Sequence, residues 1–182
     1  MNGGAPFTNN GLLRATGVGT LRLAHDCSGT GTIRSENVSN VSLESRITGG
    51  TLDNTGSTGA FKCSQGTVRD GTIVTGAPVT NVVAGHRENT LINRGLLTNF
   101  PNPSLRLTAN TSLAGGGAIQ LGYGYIYDAV ANAILTNTDN TLRGYGEIGY
   151  SDLSLINDSV GVVQADVSGQ VLQLNGGGTF TN

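Results

Sequence analysis

The side chains best equipped for chemistry gather in the C-terminal third of the chain. Asp128, Asp139, Asp152, Asp158 and Asp166 follow one another there, beside all five tyrosines of the sequence: Tyr123, Tyr125, Tyr127, Tyr145 and Tyr150. Glycosidic cleavage needs two carboxylates facing each other across a sugar, one protonating the leaving oxygen and one acting as base or nucleophile. Asp139 and Asp158 are the best-spaced pair, in the Asn-rich stretches TNTDN and INDS. Aspartate in such stretches is also a turn former that accepts hydrogen bonds from its own backbone, and that reading is preferred. His25 (AHDC) and His86 (GHRE) each have a charged neighbour, yet with 13 serines to draw on no Ser-His-Asp constellation stands out, and both read as solvated loop histidines. Cys27 and Cys63 are the only cysteines; they read as small buried residues, with a disulfide left open should they stack on neighbouring turns. Two cysteines without a suitable histidine cluster do not make a zinc site, and GGGAIQ and GGGTF lack the acid of a calcium-binding repeat. The expectation is a protein without enzymatic activity, cofactor or metal. Its aromatic patch, where Tyr125 and Tyr127 alternate and so share a face, is a candidate carbohydrate contact.

Composition narrows the scaffold that must position these residues. Of 182 residues only 12% are charged, the net charge is −2, and Lys62 is the sole lysine, which excludes a nucleic-acid binder built on basic patches. No stretch approaches the ~20 apolar residues of a membrane span. The N-terminal MNGGAPFTNN has neither a basic end nor an apolar run, so any export address is expected elsewhere. With 29 glycines, four prolines, 37% apolar residues and no tryptophan, the chain reads as many short strands joined by tight turns. Helical periodicity is almost absent, and the one candidate, YIYDAVANAIL (125–135), reads as a distorted turn.

Internal repetition carries more information. The segments 7–23 (FTNNGLLRATGVGTLRL), 91–107 (LINRGLLTNFPNPSLRL), 135–155 and 155–174 share a plan: an apolar residue, an Asn-rich turn, a short apolar run, then alternating apolar residues. The first two match at Asn9/Asn93, Gly11/Gly95, Leu12/Leu96, Leu13/Leu97 and a closing Leu-Arg-Leu. Weaker copies between them recur at roughly 20 residues, a common coil length for a parallel β-helix. Short strands cannot bury an apolar face alone, but winding the chain lets each strand bond to its counterpart one coil away, at ~4.8 Å. The predicted fold is all-β, a right-handed parallel β-helix of eight to nine coils. Leu13, Leu21, Leu23, Ile33, Leu43, Leu97, Leu105, Leu107, Val163, Leu172 and Leu174 should point inward. A Greek-key sandwich explains the turn spacing but not the recurring coil.

The segments NGLLRATGVGTLRL, ITGGTLDNTGS and LTNTDNTLRGYGEIG resemble those of bacterial secreted repeat proteins, the filamentous-haemagglutinin and autotransporter-passenger type of adhesin. That resemblance implies an extracellular or cell-surface structural module. A carbohydrate-binding or polysaccharide-cleaving β-helix is the alternative, with surface glycans as partners.

The two ends of the sequence echo each other. At an offset of 173, Asn2, Gly3, Gly4, Phe7, Thr8 and Asn9 recur as Asn175, Gly176, Gly177, Phe180, Thr181 and Asn182. Residues 1–182 therefore read as a single solenoid segment, one unit of a longer axial repeat. The echoing residues would form its contacts, with copies or adjoining repeats stacked head to tail.

Overall fold

The computed structural model describes residues 5–63, 67–69, 71–74, 79–80, 85–99 and 104–182, with side chains omitted at several positions among them. Asn2, Gly3 and Gly4 of the predicted axial contact lie outside the described residues, as do the side chains of Cys63 and His86.

The described chain is a β-solenoid with no helix, wound at about 21 residues per coil. Every strand pairing is parallel, which no Greek-key sandwich could satisfy. Strands stack in three ladders. The first begins Phe7–Thr8, Cys27–Ser28, Arg46–Thr48 and ends at Leu172–Leu174. The second runs from Leu12–Ala15 through Thr32–Ser35 and Thr51–Asp53 to Phe180–Thr181. The third runs from Thr20–Leu23 through Asn40–Leu43 to Val162–Gln164. Its eight rungs are separated by about seven turns, while the first and second ladders carry nine rungs each. Four strands, Gly85–Asn93, Leu105–Ala114, Ala118–Asp128 and Thr141–Tyr150, bend around a corner and serve two ladders.

Alternation decides what lies inside. Along Leu105–Arg106–Leu107 the leucines are buried and the arginine between them is half-exposed. Leu97, Ile119 and Leu142 stack in register and are buried, with Val163 above them packed on the same core. Leu23, Ile33, Leu43, Leu105 and Leu107 are core residues as expected, and Leu13, Leu21 and Leu172 pack against it. Leu174 is the exception: it follows Ile148 in register but is 48% exposed, because no further rung covers it. Cys27 is a buried free thiol in the first ladder, whereas Cys63 lies in a strand of the third. Residues 129–133 form a turn between strands, as the sequence indicates for YIYDAVANAIL.

The outward positions of the N-terminal coils carry ion pairs between neighbouring rungs. Arg22 bridges Glu44 at 2.6 Å and Arg34 bridges Asp53 at 2.8 Å. The Arg22 guanidinium, hydrogen-bonded to Glu44, holds that carboxyl below its usual range. Asp26 is lowered by the Ser45 hydroxyl and the Arg46 backbone N–H. For Asp53, burial pushes upward but is outweighed by hydrogen bonds from Thr55 and Arg34.

Two predictions follow from this arrangement. Leu107→Asp places an unpartnered carboxylate in a fully buried column and should cost about 4 kcal/mol, whereas Arg106→Ala should cost under about 1 kcal/mol; denaturant midpoints of the two variants check the difference. The second concerns pH. A carboxyl lowered in the folded state contributes stability above its unfolded pKa of about 4 and loses that contribution as pH falls through the folded value. Hydrogen-exchange protection factors of the strands within residues 20–53 should therefore drop between pH 7 and pH 3 more than those of Ile134–Asn137 and Ser154–Asn157. Equal loss in both regions would refute the role of these three carboxyls.

Candidate functional site

Among the described residues, two regions join a hollow to residues that the sequence put forward: the end rungs and the tyrosine face. The end rungs depend on how a coil turns its corner. Asn9 ends a rung of the first ladder; its Oδ1 accepts from Gly11 N (3.2 Å), its Nδ2 donates to Thr32 O (3.3 Å), and its carbonyl accepts from Gly31 N (2.9 Å). Asn93 repeats the pattern with Gly95 N (3.3 Å), Ala118 O (3.1 Å) and Gly117 N (2.9 Å). The paired residues read from the sequence therefore fold into the same kind of turn. They do not occupy the same corner of the solenoid. Leu12–Ala15, after Asn9, enters the second ladder, while Leu96–Asn99, after Asn93, enters the third.

From Asn93 onward the corner asparagines stack. Asn93 Nδ2 donates to Asn140 Oδ1 (3.0 Å), Asn137 Nδ2 to Asn157 Oδ1 (2.8 Å) and Asn157 Nδ2 to Asn182 Oδ1 (2.8 Å). Asn93, Asn137 and Asn140 are fully buried, so this amide ladder satisfies polar groups that would otherwise be costly inside the protein. Asn182 is its last member. The echo between the termini is thus displaced by one face: Phe7–Thr8 opens the first ladder, and Phe180–Thr181 closes the second. Counted along the chain these are the first and the twenty-sixth rungs, eight and one-third turns apart.

Both ends leave the core incompletely covered. Phe7, Leu13 and Leu21 at one end, and Val163, Leu172 and Phe180 at the other, are only partly buried, while the column between them is nearly sealed. At the C-terminal end a hollow of about 320 Å³ is lined by Leu155, Asn157, Val163, Leu174, Phe180, Thr181 and Asn182. Asn175 turns outward, its Nδ2 donating to Glu147 Oε1 (2.9 Å). Gly176 and Gly177 pass so close to the preceding coil that a side chain on Gly176 would collide with the Gly149 carbonyl oxygen. Of the residues expected at the axial contact, Phe180 and Asn182 therefore line the open end, whereas Asn175, Gly176 and Gly177 seat the last coil on the one before it.

The second region brings all five tyrosines together. Tyr127 and Tyr150 are register partners with rings 6.4 Å apart; Tyr125 lies 5.4 Å from Tyr150, and Tyr123 lies 6.5 Å from Tyr145. A register shift between Gly122 and Gly124 leaves Tyr123 as an extra residue in its rung, at φ 61° and 65% exposed. A bulky residue in that region is strained by roughly 1–3 kcal/mol, and such bulges re-aim a side chain. Gly146, at φ 129°, lets its strand approach its neighbour: a Cβ there would collide with the Gly124 carbonyl oxygen. The result is an open cleft of about 330 Å³ lined by Tyr123, Tyr125, Tyr145, Glu147, Gln170 and Gln173, among others. A second hollow of about 300 Å³, lined by Ser104, Tyr125, Tyr127 and Tyr150, adjoins it at Tyr125.

The sequence did not single out Glu147, Gln170 or Gln173. The available signal was spacing, since Gly146 and its register partner Leu172 are 26 residues apart. The excess forms the 165–171 excursion that walls the cleft.

Of the five candidate aspartates, Asp128, Asp139 and Asp166 have structural partners, although Asp128 Oδ2 is buried without one. Asp139 Oδ1 accepts from Gly116 N and from Asn140 Nδ2, both at 3.0 Å. Asp128 Oδ1 accepts from Asp152 N (3.2 Å), and Asp166 pairs with Arg143 at 3.7 Å. Asp158 sits in an exposed turn that Gly161 N closes onto the Asp158 carbonyl oxygen (2.8 Å). His25 is half-exposed beside Asp26. Among the described residues no group of three or more His, Cys, Asp or Glu is placed to hold a metal ion, and no helix is long and apolar enough to cross a membrane. No protein family, curated protein or solved structure matches this chain.

Proposed function

We propose that this chain is a structural unit of an axial β-solenoid array, stacked head to tail on copies of itself or on adjoining repeats, as rod material of an extracellular bacterial filament or giant adhesin. The observation that carries the reading is the recurrence of one motif at Phe7–Asn9 and Phe180–Asn182, whose strands take successive faces of the same coil plan. An uncovered apolar column and unpaired strand edges are a liability that solitary solenoids close with a cap. Here Phe180, Leu174, Val163 and the final amide of the asparagine ladder offer a template of the kind that the coils beneath offered to them. Because the Phe-Thr-Asn motif returns one face further on, each added unit is rotated by a third of a turn. The contact is heterologous and does not close, so it builds a fibre. The extracellular setting rests on the sequence resemblance alone.

The test uses two samples. Residues 1–182 alone should associate linearly with rising concentration in sedimentation velocity. Leu174→Asp, at a half-exposed end position, should leave the unfolding midpoint within about 1 kcal/mol of the parent yet abolish association. A tandem chain in which Asn182 is followed directly by Asn10 of a second copy should form one rod of twice the length that unfolds without a separate transition for the junction. A monomer at all concentrations, together with a tandem that behaves as two independent units, would overturn the proposal.

A further inference from the structure

We propose that the tyrosine face is a binding site for a neutral polysaccharide chain, held across the two adjoining hollows that share Tyr125. The inference does not depend on the axial array. It begins from placement: every tyrosine of the chain lies on this one face, although the sequence has 29 glycines and aromatics are only 5% of its residues. Tyr123 and Tyr150 are 65% and 56% exposed, and such rings cost apolar exposure with no return in core packing. Tyr123 in addition holds a backbone conformation that glycine would adopt without strain. An exposed ring kept in a strained position is the kind of outlier that marks a contact surface.

The chemistry of the lining selects the ligand class. Tyrosine rings offer flat apolar faces to the C–H face of a pyranose and a hydroxyl at their edge. Gln170 and Gln173 supply amides that donate and accept, and the Glu147 carboxylate accepts from sugar hydroxyls. Glu147 is held in place by the Asn175 amide at 2.9 Å. Among the described residues no lysine, arginine or histidine lines either hollow, Arg106 standing one rung away as the register partner of Tyr127, so an acidic sugar in the larger cleft would face Glu147 without a lining counter-charge. Tyr125, Glu147 and Gln173 follow one another in register along the axis, at the ~4.8 Å strand spacing, and so form a polar-aromatic track comparable in step to successive sugar rings. Glu147 is also the only acid among the described residues lining the two hollows, so the track binds a glycan without the second carboxylate that cleavage requires.

Because the chain has no tryptophan, its intrinsic fluorescence reports on this face alone. Titrate the full chain with neutral hexaoses (β-glucan, α-glucan, mannan, xylan and galactan types) and with hexagalacturonate, following tyrosine emission and heat. At least one neutral hexaose should bind saturably with a Kd of about 1 mM or tighter, and hexagalacturonate at least about tenfold more weakly. Tyr125→Ala should weaken binding at least about tenfold while Tyr125→Phe retains it. Tyr123→Gly should bind more weakly and yet unfold no earlier than the parent, which separates loss of contact from loss of fold. No saturable binding of any neutral hexaose up to about 10 mM, tighter binding of hexagalacturonate, or unchanged binding by Tyr125→Ala would each overturn the proposal.

Discussion

Each coil must present its backbone in register to the coil beneath it, and almost everything else in this molecule follows from that requirement. Parallel ladders satisfy the N–H and C=O groups of one rung only through the rungs on either side, so neighbouring coils must share a perimeter. In the N-terminal half they do: Leu12, Thr32, Thr51, Thr72 and Ile92 are successive partners in the second ladder. In the C-terminal half the steps lengthen, with Thr111 paired to Leu135 and Leu155 to Phe180. Residues in excess of the common perimeter cannot enter the ladder without breaking it, so they are expelled outward. Tyr123 leaves as a single-residue bulge and residues 165–171 leave as an excursion. The tyrosine cleft lies between these two expulsions, which makes it a product of the stacking rule and not an addition to it.

How far the sequence can be read follows from which parts of the fold are local. Inward and outward positions are local, because the side-chain period of a strand is two; Leu105, Arg106 and Leu107 declare their sides without knowledge of any partner. The corners are nearly local. Asn9 and Asn93, each followed two residues later by glycine, make the same bonds to their own backbone and to the next coil. The face that a corner serves is not local. It depends on the number of rungs between two corners, and a strand such as Leu105–Ala114 hides a rung boundary by keeping its buried side chains at odd positions on both sides of the bend. For that reason the repeated segments could be recognised as copies while their one-face displacement could not. The composition of the cleft was half legible: its aromatics are conspicuous, but Glu147 and Gln173 join them through a strand register, and Gln170 through a loop, that the sequence does not place.

The buried asparagines show how the structure handles polarity at its corners. A fully apolar corner would leave the turn's N–H and C=O groups to find partners elsewhere, since the path of the chain departs from the ladder there. Asn137 resolves this with one side chain: its Oδ1 accepts from Asn140 N (3.1 Å), while its Nδ2 donates to Asn140 O (2.9 Å) and to Asn157 Oδ1 (2.8 Å). The same residue thus shapes its own turn and fixes the height of the next coil. An amide ladder of this kind specifies register more sharply than leucines do, because a slip by one residue would strand buried donors and acceptors, whereas sliding leucines find other leucines.

A unit of eight and one-third turns also determines how lateral features are distributed along an array. Had the matching ends fallen on the same face, every tyrosine cleft would lie in one row, and a rod lying on a flat glycan surface would engage all of its sites or none. In the proposed array, a third of a turn per unit would set the clefts in three rows around the rod. At ~4.8 Å per coil a unit rises roughly 40 Å, so clefts facing one direction recur at roughly 120 Å. Weak sites gain from linkage only when geometry allows them to be engaged together. Such a rod would therefore present its clefts to ligands on all sides at once, as suits an element within a matrix, and would bind a single plane through every third unit.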